Sequence, residues 1–354
     1  MNRTTKRVLN IGLALAVVGL IFGFALPAFA DYGDVWDTLT GMTWFEVTTL
    51  IALAAFNLWT YLPLLTSVLP GLEQRQAFVV NNSSTAVSNT VPAGAAFGVG
   101  VTYSMYRSWG FSNTAIGLSV IVSGIWNTFV KLGLPIIALA FLAVAGEANT
   151  SLVGASLIGV AILAVAVALF AMVLKSARLA GSVGERAARI ATPILRIARK
   201  STPTGWGERA VEFRESVTEL VAKRWPRITL ATVVSHLTLY AILLVALRHV
   251  GVSENDVSWA AVLAAFAFGR LITAIPVTPG GLGVIELGYV AALSVGVGDL
   301  VETRIVAAVL LFRAITFIPP ILIGGFTYLF WTRNTSWRAE HPADDAHDET
   351  ELIT

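Results

Sequence analysis

The chain has 354 residues, of which 56% are hydrophobic and only 13% charged, whereas soluble domains average about 25% charged residues. This composition excludes an ordinary soluble domain and predicts an all-α, polytopic transmembrane helix bundle. Because cysteine is absent, disulfides and thiolate metal sites are excluded as well. The small net charge of +2 says little by itself, and we expect no nucleic-acid partner.

The N-terminal segment has two interpretations. Arg3, Lys6 and Arg7 precede an apolar run of 19 residues from Val8 to Leu26, and Pro27-Ala28-Phe29-Ala30 follows like the cleavage site of a signal peptide. The run is, however, long enough to span a bilayer. A retained first helix is therefore the favoured interpretation, and a cleaved signal peptide is the alternative.

Nine long apolar stretches follow one another along the chain, and each is a candidate for a membrane span, which needs about 20 residues. They lie near 8–30, 44–70, 77–106, 113–145, 152–174, 228–248, 257–275, 281–298 and 304–331. The fourth is longer than one straight span needs and contains Lys131 and Pro135. We therefore expect it to be tilted, kinked or split.

The third stretch is too polar for a helix in contact with lipid. It contains Asn81-Asn82-Ser83-Ser84-Thr85 and Ser88-Asn89-Thr90-Val91-Pro92-Ala93-Gly94. We interpret 77–106 as a re-entrant or broken pair of helical segments. The alternative is a buried span whose small polar residues pack against neighbouring helices.

Basic residues set the predicted orientation, since the cytoplasmic loops of membrane proteins are rich in Lys and Arg. The segment 175–227 carries twelve of the 24 Lys and Arg residues. If 77–106 does not cross, the other eight stretches place this segment and both termini on one side. We therefore expect about eight crossings of the cytoplasmic membrane, with both termini in the cytoplasm.

Charged and apolar residues recur at helical spacing within the basic segment, which predicts two amphipathic helices, the second from Trp206 to Trp225. They would lie against anionic lipid at the cytoplasmic surface; a solvated charge run without a specific role is the alternative. We expect residues 1–331 to form one transmembrane domain that includes 175–227. An acidic, disordered cytoplasmic tail is predicted over 332–354.

The most informative segment is Ile275-Pro276-Val277-Thr278-Pro279-Gly280-Gly281-Leu282-Gly283-Val284-Ile285-Glu286. Pro and Gly break helices, and broken backbone in a bilayer survives only where protein or a water-filled cavity satisfies its polar groups. Asn89-Thr90-Val91-Pro92 is a weak echo in the other half, and paired breaks are typical of repeat transporters. We expect the two breaks to lie side by side along a substrate pathway and to bind substrate through Asn89, Pro279, Gly280, Gly281 and Gly283.

Ionisable side chains inside a membrane are costly and functional by default. Four of them, with one neighbouring amide, are candidates for substrate contact: Arg270, Glu286, Arg313, Lys131 and Asn127. Arginine suits a phosphate through its planar fork of donors, but a structural ion pair among Arg270, Glu286 and Arg313 is the alternative. There is no nucleophile elbow, nucleotide loop or zinc motif, so neither enzymatic activity nor a cofactor is expected.

The segment Pro276–Glu286 resembles the hallmark of the flippase-like family named after the transmembrane region of lysylphosphatidylglycerol synthase, with Arg270 upstream and Leu310-Leu311-Phe312-Arg313 and Pro319-Pro320 downstream. The resemblance implies an inner-membrane protein with re-entrant segments that moves lipids between leaflets. The soluble domain that makes the lipid in full-length synthases has no counterpart after residue 331, so synthase activity is not expected. Many members carry charges just after the first-half proline, whereas here no charge follows Pro92 until Arg107. The resemblance therefore does not fix aminoacylated phosphatidylglycerol as the substrate.

We therefore expect a non-enzymatic lipid flippase or transporter that moves a phospholipid or lipid-linked molecule between the leaflets. Three alternatives remain: an ion-coupled small-solute transporter, a membrane enzyme acting on a lipid-linked substrate, and an envelope scaffold. A sealed cavity with no lateral opening would favour the first. A nucleophile or general acid near Glu286 would favour the second, and the absence of any cavity would favour the third.

Overall fold

The computed structural model describes residues 31–91, 94–146, 150–197, 205–273 and 278–339. All regular secondary structure in these ranges is helical, as the composition predicts. The helices in chain order are α1 (Tyr32–Thr40), α2 (Trp44–Thr60), α3 (Leu62–Val68), α4 (Gln74–Thr90), α5 (Gly94–Ser108), α6 (Asn113–Val144), α7 (Thr150–Lys175), α8 (Ala177–Ile197), α9 (Trp206–His249), α10 (Trp259–Ile272), a 3₁₀ turn (Pro279–Gly281), α11 (Val284–Leu293) and α12 (Asp299–Arg333).

Within the described ranges, five helical segments are long and apolar enough to cross a membrane: Trp44–Val68, Asn113–Val144, Leu157–Lys175, Trp206–His249 and Asp299–Arg333. Helices α10 and α11 are apolar but shorter. These seven segments correspond to seven of the eight predicted crossings, and the first apolar stretch lies outside the described residues. The number of crossings stays a prediction.

Helix α6 is continuous over 32 residues with Pro135 inside it, so the predicted long fourth stretch is not split. Proline removes one backbone hydrogen bond from a helix interior. The helix is well packed at this point, since Leu134, Ala138 and Leu139 are buried in the main apolar cluster with residues of α9 and α10.

The third stretch is broken, as one of its two interpretations predicts. Helix α4 ends at Thr90 and α5 begins at Gly94, and the two helices pack closely. A Cβ atom built on Gly98 would lie 2.1 Å from the Ser88 hydroxyl oxygen. Helix α4 also packs against α12, where the Ser83 and Thr327 hydroxyls share a buried hydrogen bond of 2.9 Å. Ser83 of this helix therefore faces a neighbouring helix; whether the segment is re-entrant stays a prediction.

The basic segment differs from its prediction only in its second part. This part is not a separate helix, because α9 runs without interruption from Trp206 to His249. Val217 and Leu220 on its apolar face are buried in a cluster with Leu64 and Val68, so this face covers protein and is not left for lipid. Sequence periodicity predicts an apolar face correctly but does not tell which apolar surface that face meets.

Two arginines of the same segment satisfy carbonyl groups at helix ends. Arg214 Nη1 donates to the Leu174 carbonyl (3.1 Å) at the end of α7. Arg224 Nη1 donates to the Ser67 carbonyl (3.3 Å) at the end of α3. The last carbonyls of a helix have no partner within the helix and carry partial negative charge. Part of the basic charge therefore holds the helices of the bundle together.

The tail also differs from its prediction, since the fold does not end at residue 331. Helix α12 continues to Arg333, the Trp337 ring packs edge-on against Trp109, and the Ala339 amide donates to the Ser108 carbonyl (3.0 Å). Residues 332–339 are therefore an ordered part of the domain, because aromatic side chains anchor them to the end of α5. The rest of the predicted disordered tail lies outside the described residues.

Candidate functional site

A polar cavity of about 780 Å³ lies between the helices, with lining residues from α2, α3, α4, α5, α6, α9, α10, α11 and α12. Both helix breaks reach it: Val91 and Gly94 from the first, and Thr278, Gly280 and Gly281 from the second. The two breaks therefore lie side by side, as the sequence predicts. Pro92 and residues 274–277 belong to these breaks but lie outside the described residues.

The second break is built around Gly280. Its φ of +59° is a left-handed conformation that L side chains rarely adopt, and a Cβ atom there would lie 2.3 Å from the Phe317 ring. The surrounding polar groups are paired locally: Thr278 Oγ1 donates to the Leu282 carbonyl (2.8 Å), and the Gly281 amide donates to the Thr278 carbonyl (3.0 Å). This pairing is what broken backbone inside an apolar bundle requires.

Glu286 and Arg313 form a buried ion pair. Arg313 Nε donates to Glu286 Oε1 (2.8 Å), and Arg313 Nη2 donates to the Gly280 carbonyl (3.0 Å). Glu286 lies in the first turn of α11 and is only 1% exposed, where an acid also complements the positive end of the helix. Arg313 lines the cavity, while Glu286 lies behind it and is not part of the lining. The pair therefore fastens α12 to the break and to α11.

Arg270 and Lys131 also line the cavity, but neither forms an ion pair with any described residue. The Nε of Arg270 is buried without a hydrogen-bond partner among the described residues. The two cations lie within electrostatic range of each other, and Arg270 lies within range of Arg313 as well. The lining thus carries uncompensated positive charge.

Polar residues on α6 and α4 form two stripes along the cavity wall. On α6 they recur at intervals of four residues, which places them on one helical face: Ser119, Ser123, Asn127 and Lys131. Asn127 Nδ2 donates to the Tyr61 hydroxyl and to the Ser123 carbonyl (3.1 Å). On α4 the stripe consists of Asn81, Ser84, Thr85, Ser88 and Asn89.

Seven of the ten predicted site residues line the cavity: Arg270, Arg313, Lys131, Asn127, Asn89, Gly280 and Gly281. The other three support it. Glu286 pairs with Arg313, Gly283 precedes α11 as its N-cap, and Pro279 begins the 3₁₀ turn. Substrate contact by any of the ten stays a prediction.

Sequence reasoning missed Tyr61 and His236, which both line the cavity. The four-residue spacing on α6 was a signal for Ser119 and Ser123. The same spacing joins Asn57 to Tyr61 and Thr232 to His236, and this signal was overlooked. Within the described ranges no group of three or more His, Asp or Glu residues is placed to hold a metal ion.

An apolar pocket of about 240 Å³ adjoins the polar cavity. It lies between α2, α9 and α12, and its wall is formed by Ile51, Ala54, Ala55, Ile242, Ile315, Pro319 and Ile323. The two cavities share four lining residues: Asn57, Leu58, Thr316 and Pro320. A polar compartment and an apolar compartment therefore meet along one boundary.

Comparison with known proteins gives one family match. The family model described as the lysylphosphatidylglycerol synthase TM region matches residues 11–324, which include both helix breaks and the cavity. A search of curated proteins finds no match to the chain.

Proposed function

The chain belongs to the family of the lysylphosphatidylglycerol synthase transmembrane region and is an integral membrane protein, and from this membership and its cavity we propose that it moves a lipid between the leaflets of the cytoplasmic membrane. The headgroup passes through the polar cavity, while the acyl chains remain in an apolar environment. We propose no enzymatic step for the chain, and we place both termini in the cytoplasm.

The observation that carries the proposal is the polar cavity between the two helix breaks. A membrane bundle that only had to be stable would fill this volume with apolar side chains, because polar groups in the apolar interior are costly. Here the wall of a cavity of about 780 Å³ carries amides, hydroxyls and cations among its apolar side chains. Such a cavity lowers the cost of bringing a hydrated headgroup through the bilayer.

The apolar pocket favours a lipid over a soluble solute. A soluble solute needs a polar compartment only, whereas a lipid needs adjoining polar and apolar compartments for its two ends. The boundary at Asn57, Leu58, Thr316 and Pro320 supplies this arrangement. An enzyme acting on a lipid-linked substrate has less support, because Glu286 is engaged with Arg313 and does not line the cavity.

Reconstitution into vesicles tests the proposal. Phospholipids with a fluorescent headgroup label are distributed over both leaflets, and a membrane-impermeant quencher is added outside. With protein present, we expect label from the inner leaflet to become accessible to the quencher. In protein-free vesicles only the label of the outer leaflet should be lost.

A pair of glycine variants supplies the control. Gly124 lines the cavity, and a Cβ atom there meets nothing within 4 Å, so Gly124→Trp should fill the cavity without a backbone clash and slow transport. Gly100 is equally open but does not line the cavity, so Gly100→Trp should leave transport unchanged. Equal transport by folded Gly124→Trp and by the native protein would contradict a route through the cavity.

A further inference from the structure

The cavity wall has an imbalance of charge that bears on the substrate. Three cationic side chains line it, Lys131, Arg270 and Arg313, and no carboxylate is among the described lining residues. Glu286 compensates Arg313 from behind the wall. Lys131 and Arg270 remain without a counter-charge from any described residue.

This arrangement is electrostatically unfavourable when the cavity holds only water. Like charges that face one volume inside a low-dielectric bundle repel each other, and a cation removed from bulk water needs a partner. The buried Nε of Arg270 also has a hydrogen to donate and no described acceptor. An anion in the cavity would relieve the repulsion and accept this hydrogen bond.

We propose that the cavity recognises a lipid headgroup with net negative charge, and that Arg270 and Lys131 bind its phosphate. This inference rests on the proposed function, since it names the substrate class of the same site. Arg270 offers a planar fork of donors suited to phosphate oxygens, and Lys131 offers a point charge. Hydroxyl and amide groups of Ser123, Asn127 and Asn89 lie on the same wall and are suited to the remaining polar atoms of the headgroup.

The same wall disfavours other headgroups. A zwitterionic headgroup brings an ammonium group together with its phosphate, and a cationic aminoacylated headgroup brings a net positive charge. Neither finds a carboxylate among the described lining residues, so each meets like charge at Arg270 or Lys131. Selectivity against these lipids follows from repulsion between like charges. Repulsion of the wrong ligand is a common source of specificity in binding sites.

Binding to the purified full-length protein in a neutral detergent tests the proposal without transport. The probes are dioctanoyl phosphatidate, dioctanoyl phosphatidylglycerol, dioctanoyl phosphatidylcholine and inorganic phosphate, each titrated while thermal stability is followed. We expect both anionic lipids to bind at least about 10-fold more tightly than the zwitterionic lipid, because the ammonium group of the zwitterionic lipid is repelled by Arg270 and Lys131. Inorganic phosphate should bind more weakly than phosphatidate, since it lacks the acyl chains.

Variants separate the cavity from the basic surface of the protein. Arg270→Gln and Lys131→Gln should each weaken phosphatidate binding about 10-fold or more, and Arg270→Lys should recover part of the loss. Lys223 is exposed and paired with Glu219, so Lys223→Gln, which removes the same charge elsewhere, should bind like the native protein. If Arg270→Gln does not fold, the affinity of Lys131→Gln for phosphatidate tests the inference.

Three results would overturn the inference: equal affinity for the anionic and zwitterionic lipids, native affinity in folded Lys131→Gln and Arg270→Gln, or inorganic phosphate binding as tightly as phosphatidate. The vesicle assay separates this inference from the proposed function. Transport of all headgroup classes at one rate would refute anion selectivity and leave lipid transport standing. Selective, Arg270-dependent binding without any transport would refute the proposed function and leave the anion site standing.

Discussion

At the residue scale, the ion pair of Glu286 and Arg313 shows how one contact serves both fold and cavity. The pair joins α11 to α12, and the second bond of Arg313 reaches the Gly280 carbonyl in the break. The Phe317 ring lies 4.9 Å from the guanidinium carbon, which adds a cation–π contact. Arg313 therefore has three partners, whereas Arg270 and Lys131 have no ion-pair partner among the described residues and remain available to a ligand.

Removing one partner of this pair should lower the free energy of unfolding more than replacing both partners by apolar residues. Arg313→Met leaves the buried Glu286 charge without its partner, and we expect it to lower the free energy of unfolding by about 3–5 kcal/mol. The double variant Arg313→Met with Glu286→Leu removes both charges and should be more stable than Arg313→Met alone. Thermal unfolding of the purified variants measures both. A double variant less stable than the single variant would show that the pair has another role.

At the element scale, the cavity depends on how closely α4 approaches α12. A Cβ atom on Gly324 would lie 2.2 Å from the Asn82 carbonyl oxygen and 2.5 Å from the Ala86 Cβ, so the two helices meet backbone to backbone at this glycine. Small residues allow such close approach between membrane helices. The contact places the polar stripe of α4 beside Arg313 and Thr316 of α12 at the cavity wall.

Adjacent glycines of α12 provide a matched test of this contact. Gly324→Val should force the helices apart and lower the free energy of unfolding by about 1–3 kcal/mol, as overpacking usually does. Gly325 is exposed, and a Cβ atom there meets nothing within 4 Å. Gly325→Val, with the same change in helix propensity, should therefore be close to neutral. Equal thermal stability of the two variants would mean that the glycine contact does not hold α4 against α12.

At the scale of the whole molecule, the arrangement of compartments matters more than any one helix. The polar cavity collects residues from nine of the described helices, and the apolar pocket joins it between α2 and α12. The prolines Pro319 and Pro320 lie at this junction, inside α12. A lipid that crosses by this route keeps its headgroup in one compartment and an acyl chain in the other.

A tryptophan in the apolar pocket should therefore slow lipid transport without weakening anion binding in the polar cavity. Ala55 lines the pocket and is exposed, so Ala55→Trp should slow lipid transport severalfold and leave the binding of inorganic phosphate unchanged. Ala52 is exposed on the same helix and does not line the pocket. Ala52→Trp is the control, and equal transport rates for the two variants would exclude the pocket from the route.

The predicted orientation can be measured through α9, because its 44 residues span about 65 Å at 1.5 Å per residue and carry the basic segment at one end. The native chain has no cysteine. A cysteine at the exposed Thr218 should be labelled by a membrane-impermeant thiol reagent only after the cells are opened. A cysteine at the exposed Asn255, beyond the other end of α9, should be labelled on intact cells. The reverse labelling pattern would show that the orientation is opposite to the predicted one.

The sequence by itself determined the class of the protein and the positions of the breaks. Long apolar runs with few charges can be stable only in a membrane bundle, and the Pro and Gly residues after Thr90 and before Glu286 end helices through local backbone chemistry. It also indicated Arg270, Lys131 and Arg313 as intramembrane cations. These features depend on residues close together in the chain, so a single sequence reveals them.

Only the tertiary structure decided which of these charges are paired and what each apolar face covers. Glu286 pairs with Arg313, 27 residues away, and not with Arg270, and hydropathy gives no information on that choice. The apolar face of α9 meets Leu64 and Val68, although its periodicity is equally suited to a lipid surface. Both outcomes depend on the approach of helices far apart in the chain, where small residues such as Gly324 determine the distance between them.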